Sequence, residues 1–219
     1  MAAGRLESIQ VGLPVTRVDE EGEWTSAVHK HLMRGAGEAT TLGLLGDGQA
    51  NTVNHGGPDK ALLAYAGEHF LAWRDELGCT IPAGGLGDNL TLSGLNERTV
   101  CIGDQYRVGD VVVEVTQPRK PCWKLGRLWG HPQIAKRVVE TDRCGWYLRV
   151  IEPGRLKAGD AVELVSRPHP DWSIVRANRV MFQRVDGEDL LKEARHLVGL
   201  PELSASWRDE LAEKYLRAD

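Results

Sequence analysis

Sulfur chemistry requires a thiolate, and one cysteine of this chain is placed to become one. In Gln117-Pro118-Arg119-Lys120-Pro121-Cys122-Trp123-Lys124-Leu125, the thiol of Cys122 is bracketed by cations and two prolines stiffen the segment. Residues 115–139 contain no acid, yet Arg119, Lys120, Lys124, Arg127, Lys136 and Arg137 are all there. In a chain of formal net charge −4 this is a local positive island. Neighbouring positive charge favours the thiolate, which is both a nucleophile and a ligand for soft metals. The bland alternative, a small buried hydrophobe beside surface cations, stays open at this point. Cys101 alternates within a predicted strand, Cys79 follows a helix stop, and Cys144, in Arg143-Cys144-Gly145-Trp146, has one flanking cation. No C-x-x-C pair or finger-like Cys/His spacing announces zinc.

Two further segments could face a ligand. Asn54-His55-Gly56-Gly57-Pro58-Asp59-Lys60 is a glycine-rich loop whose converging amides, with Lys60, suit an anion. It lacks the G-x-x-x-x-G-K-[ST] spacing of a nucleoside triphosphate loop, and a tight turn with an exposed lysine accounts for it as well. For His55 the ordinary role is a satisfied hydrogen-bonding group. In Gly84-Gly85-Leu86-Gly87-Asp88-Asn89-Leu90, Asn89 can offer its side-chain amide to the polar edge of a ligand, although turn chemistry explains the same residues. A Ser-His-Asp order, an H-E-x-x-H helix and a G-x-G-x-x-G fingerprint are all missing from the sequence.

The elements that must position these groups are mostly strands. Five Gly-Asp pairs, at 46–47, 87–88, 103–104, 109–110 and 159–160, separate short runs rich in β-formers. Val100-Cys101-Ile102, Gln105-Tyr106-Arg107-Val108 and 111–116 read as strand, turn, strand, turn, strand, and 155–165 repeats the phrase. Residues 6–11, 61–65 and 147–151 also read as strands, so a curled antiparallel sheet or barrel is expected through about residue 166. Two helices interrupt it, over 68–77 and after Pro132, as short covers of the barrel openings. Beyond Pro168-His169-Pro170 glycine becomes scarce and helical patterns follow at about 173–184, 187–198 and 204–217. Ser206 with Asp209 reads as a capping box for the last of them. The expected fold is mainly β with helices (α+β): a barrel over 1–168 and a three-helix unit over 169–219. From Asp186 onward the tail holds nine acids against five Lys or Arg, the composition of a solvated helical lid.

At 219 residues, 42% hydrophobic and 26% charged, the chain can bury a core without staples. Hydrophobic stretches are broken within a few positions, so a membrane-spanning helix is not expected, and the N-terminus lacks a signal-peptide pattern. A cytoplasmic location with free thiols is the expectation. The acidic balance and the lack of interleaved stacking aromatics argue against a nucleic-acid polymer as partner.

Taken in order, Gly43-Leu44-Leu45-Gly46-Asp47, His55-Gly56-Gly57-Pro58-Asp59-Lys60-Ala61-Leu62, Gly87-Asp88-Asn89-Leu90, Ile102-Gly103-Asp104 and the Cys122 segment resemble the MOSC family, the domain related to the C-terminal part of molybdenum cofactor sulfurases. The resemblance is closest to its YiiM-type members and extends over the three-helix tail. Asp88 departs from the family's G-E-N-L phrase. The resemblance implies a β-barrel binding the molybdenum cofactor (molybdopterin), with Cys122 as catalytic residue and metal ligand and with His55, Lys60, Asn89, Arg119 and Lys124 around the cofactor. It further implies reduction of N-hydroxylated compounds, such as hydroxylaminopurine-like bases or amidoximes, as a detoxification. Because no C-x₄-C-x₂-C run is present, electrons would come from a separate flavin or iron–sulfur donor. The competing expectation is a cofactor carrier or a persulfide-bearing sulfur-transfer module without substrate turnover.

Overall fold

A computed structural model describes residues 2–51, 55–185 and 187–216 of the chain. It opens with β1 (Ala2–Val11), the hairpin β2 (Val15–Asp19) and β3 (Gly22–Ser26), and the short strands β4 (His31–Leu32), β5 (Ala36–Thr40) and β6 (Gly43–Leu44). A 3-10 turn at Pro58–Lys60 leads into β7 (Leu62–Ala66), α1 (His69–Leu77) and β8 (Leu90–Ser93). The pair β9 (Gln105–Val108) and β10 (Val111–Pro118) precedes α2 (Lys124–Trp129) and α3 (Ile134–Thr141). Then come β11 (Trp146–Glu152), β12 (Gly154–Lys157) and β13 (Ala161–Ser166), and the tail folds as α4 (Ile174–Met181), α5 (Gly187–Val198) and α6 (Ala205–Tyr215). Among the described residues no helix is long and apolar enough to cross a membrane.

Seven strands close a barrel in the order β1-β13-β9-β10-β11-β7-β8 and back to β1. Closure falls between β1 and β13, where Arg5 stands opposite Ala161. The neighbours are antiparallel except β7 and β8, which run parallel because α1 carries the chain across between them. Inward residues from facing strands, among them Leu6, Leu62, Val113, Val115, Leu148 and Val162, form the core. All eight residues of β10 are buried, since α4 packs against this strand as well. Its far end at Pro118 delivers the chain directly to Arg119 and Cys122.

Strand expectations hold over β1, β7, β9–β11 and β13, and helices over α1, α3 and the tail. Val100-Cys101-Ile102 is not a barrel strand. Cys101 makes an isolated bridge to Ser173, and the amides of Ile102 and Ile174 bond Trp172 and Val100 carbonyls at 2.8 and 2.9 Å, so the entry to the tail takes up its pairing capacity. The cap of α6 is Ser204, whose hydroxyl accepts from the Trp207 amide at 3.3 Å, and not the expected Ser206. The β2–β3 hairpin and α2 had no counterpart in the strand and helix patterns.

Candidate functional site

The end of β10, the turn into α2, the 3-10 turn before β7, the loop before β8 and the N-terminal half of α6 enclose a cavity of about 440 Å³, within the size range of small-molecule sites. Cys122, His55, Lys60, Asn89, Arg119 and Lys124 all line it. Asn54, next to them in sequence, lies outside the described residues. Cys122 is half-buried and, among the described residues, is the one thiol bordering the cavity. Burial, reinforced by Asp104, pushes the Cys101 thiol up to about 11. Burial and then Glu97 hold Cys144 well above the ordinary thiol range. Cys122 is positioned from both sides: the Arg119 amide bonds Gly145 O at 3.0 Å as the strand ends, and Cys122 O accepts from the Leu125 amide at 3.2 Å as α2 begins.

The positive island does not survive as an open patch. Lys120 pairs with Glu210 at 2.6 Å, Arg127 with Asp19, Arg137 with Glu76 and Glu140 at 3.1 Å each, and Lys136 with Glu140 at 3.6 Å. The partners come mostly from elements distant in sequence, which the local charge count could not include. What remains is focused in the cavity. Arg119 donates to Leu86 O at 3.0 Å and Lys124 to Thr25 O at 2.7 Å, and among the described residues neither has a carboxylate partner. Burial lowers the pKa of Lys60 against the opposing pull of Asp59. His55 registers the resulting field: burial first, then Arg119, Lys60 and Lys124, drive its pKa to about 4, so the imidazole is neutral at physiological pH. Its Nδ1 lies 3.3 Å from the hydroxyl of Tyr147, itself a buried phenol with a raised pKa.

Asn89 borders the cavity, but its amide is committed to the protein. Oδ1 accepts from the Leu63 amide at 3.1 Å, while Nδ2 donates to Gln10 O at 3.2 Å and to Asp47 Oδ2 at 2.9 Å. These bonds fix Asn89 at the cavity edge and tie Leu63, Gln10 and Asp47 together. Asp88 does not line the cavity. Fully buried, with its pKa raised by that burial, it accepts from the Gly84 amide and the Thr91 hydroxyl at 3.0 Å and so holds the loop before β8.

Residues 51–163 match the model of the MOSC domain, and residues 172–216 match the YiiM-like 3-alpha helix domain. The chain belongs to the MOSC family. It is 37% identical over 207 residues to the uncharacterised protein YflK of Bacillus subtilis, covering 94% of this chain and 92% of that one. A protein of Gibberella moniliformis named a reductase is 37% identical over 180 residues, 80% of this chain and 32% of that protein. The crystal structure of YiiM from Geobacillus stearothermophilus superposes with a TM-score of 0.81 at 32% identity, covering 98% of this chain and all of that one (100%).

In this MOSC chain the three-helix extension forms part of the cavity wall, through Ser206, Trp207 and Glu210. The α6 start is docked by Ser204 Oγ, which donates to Gln117 Oε1 at 2.5 Å, and by the Ala205 amide, which donates to Asp59 Oδ2 at 3.0 Å. The latter contact also steadies the turn carrying Lys60, whose Asp59 is gripped by Arg149 at 2.6 Å. Glu210 is the one carboxylate among the lining residues, facing Lys30, Lys60, Arg119, Lys120 and Lys124. Sequence reasoning missed this wall, Tyr147, and the buried Lys30–Asp47 pair beneath Asn89. Asp47 had a weak signal as one of the Gly-Asp turns; the tail's pattern marks Ser206 as a cap and Trp207 as part of a helical stripe, but nothing in it points Ser206, Trp207 or Glu210 toward the cavity.

Proposed function

We propose that this MOSC protein is a molybdenum-cofactor-dependent reductase of N-hydroxylated compounds, with the Cys122 thiolate as the protein ligand to molybdenum. One observation carries the reading: the single thiol bordering the cavity shares it with Arg119 and Lys124, two cations without carboxylate partners among the described residues. The donor set fits such a group. A thiolate suits a metal already bound by sulfur, and guanidinium and ammonium groups suit its phosphate. Among the described residues no three His, Cys, Asp or Glu side chains cluster as a metal site, so a metal held at Cys122 brings its other ligands with it. The Gibberella relative named a reductase supports the redox class.

When bound, the cofactor supplies two-electron removal of oxygen from an N–OH group. The balance is R–NH–OH plus two electrons and two protons giving R–NH₂ and water, with the electrons drawn from a separate flavin or iron–sulfur reductase. The chain's own residues bind and orient. Arg119 and Lys124 would hold the anionic end of the cofactor, Lys60 would add charge from its pinned turn, and Asn89 keeps the loops in register. His55 stays neutral beside the Tyr147 hydroxyl, so it would offer a hydrogen bond to a bound ligand without adding a standing charge to a site already crowded with cations. The test is turnover of an N-hydroxylated purine with reduced viologen as donor, in wild type and Cys122→Ala. Two electrons consumed per amine formed by the wild type, with loss in the variant, is the expected outcome. A persulfide on Cys122 of metal-free protein, together with no turnover of wild type, would replace this reading with the sulfur-transfer one.

A further inference from the structure

Next to Cys122 stands a tryptophan whose placement the cofactor reading does not use. Trp123 lines the cavity and is 58% exposed, whereas Trp24, Trp73, Trp146, Trp172 and Trp207 are buried. An indole exposed at the cavity wall and braced by its neighbours is suited to meet a flat ligand. Rigidity here comes from Asp19. Its carboxylate takes the Trp24 Nε1–H at 2.9 Å and pairs with Arg127, whose Nε lies 2.9 Å away and whose Nη2 also reaches Gly22 O at 2.9 Å. Arg127 thereby sits 5.3 Å from the Trp24 ring centroid and 5.4 Å from that of Trp123. Trp24 leans on Trp123 at 6.3 Å with a 51° tilt, and Lys124 Nζ stands 5.8 Å from the Trp123 ring. The β2–β3 hairpin and α2 thus brace an open aromatic plate beside the thiol.

We infer that Trp123 is the stacking platform for the flat heteroaromatic ring of the substrate, and so a specificity-determining residue; this rests on the reductase reading above. The local charge defines the ligand further. Lys124 and Arg127 already lie against the indole, so a cationic ligand meets repulsion and an uncharged N-hydroxylated base does not. An acyclic amidoxime has the reacting N–OH group but no ring to stack.

The test compares wild type, Trp123→Ala and Trp123→Phe, purified as full chains from a host that makes the cofactor. For an N-hydroxylated purine, Trp123→Ala raises KM by about tenfold to a hundredfold, the range of a base–aromatic stack, and leaves kcat within a few-fold. Trp123→Phe restores most of the affinity, KM for an acyclic amidoxime is unchanged, and all three proteins carry equal molybdenum and pterin. A second arm needs no turnover: adding purine base to metal-free wild type shifts the ¹⁵N-indole resonance of Trp123, assigned by its disappearance in Trp123→Phe. Equal KM changes for both substrates would overturn the inference. Loss of molybdenum and pterin from Trp123→Ala would do so too, because the plate would then belong to the cofactor's own ring. Should wild type turn over neither substrate, the reductase reading fails and the resonance arm alone decides: no shift rejects the platform.

Discussion

Replacing Asp47 by Ala removes the acceptor on which four donors converge: the Gly12 amide at 2.8 Å, Asn89 Nδ2 at 2.9 Å, Gln49 Nε2 at 3.4 Å and the Lys30 ammonium. Both charged side chains are out of water, 6% exposed for Lys30 and 1% for Asp47. Burial lowers the pKa of Lys30, and Asp47 is the main group pulling it back. Removing one partner of a buried pair costs about 3–5 kcal/mol, because the other charge is left uncompensated. The orphaned Gly12 and Asn89 donors add to this at about 1–3 kcal/mol each, while water entering from the adjoining cavity offsets part of it. The expected loss at pH 7 is thus at least about 4 kcal/mol, read by urea denaturation. The pH dependence has a definite sign. A lysine whose folded pKa lies below its unfolded value leaves the unfolded chain holding more protons, so stability rises as pH climbs toward the unperturbed lysine value of about 10.4. Truncating Asp47 widens that gap, and the deficit narrows between pH 7 and pH 9.5. Lys30→Met combined with Asp47→Ala recovers a large part of the loss, since no unpaired ammonium remains. A single-variant deficit below about 1 kcal/mol, or a double variant no better than the single, would refute the buried-pair argument.

Other outcomes follow from the same geometry. Under the proposed function, Lys124→Ala weakens retention of the anionic cofactor by about tenfold or more, the value of a charge-assisted hydrogen bond, with little change in unfolding midpoint. Arg119→Ala does the same and also costs about 1–3 kcal/mol of stability, because Leu86 O loses its partner. Molybdenum and pterin analysis beside urea denaturation checks both. In native metal-free protein at pH 8, iodoacetamide labels the half-buried Cys122 and Cys79, whereas the buried Cys101 and Cys144 react only after denaturation, as peptide mass spectrometry will report. Ser204→Ala removes the α6 cap and the Gln117 contact, costing about 1–2 kcal/mol by urea denaturation and loosening hydrogen-exchange protection along α6.

What was legible in the sequence is what depends on local pattern. Gly109 turns the chain at a positive φ of 59°, and the β-formers on either side pair as β9 and β10, with Val111 opposite Val108. The helical periodicity over 187–198 coincides with α5. The α2 helix was hidden by Gly126, a poor helix former that is present because a side chain there would press on Pro132 Cα at 3.2 Å and His131 O at 3.3 Å. Barrel closure joins Arg5 to Ala161, and Arg127 is neutralised by Asp19, pairings between residues more than 100 positions apart that no window reports. The same limit explains the site. Residues gathered in the Cys122 segment could be nominated from their types, but the contribution of α6 and the commitment of the Asn89 amide depend on packing. Only the fold decides which cations of the island find acids and which two do not.

Whether Cys122 holds molybdenum in this cavity is decided by measuring molybdenum and released pterin in wild type and Cys122→Ala from a cofactor-competent host, with circular dichroism to verify that both are folded. Near-stoichiometric metal and pterin in the wild type and a sharp fall of molybdenum in the variant are expected. A folded variant that retains as much molybdenum as the wild type, or a wild type that takes up neither metal nor pterin from an adequate supply, would contradict ligation by Cys122.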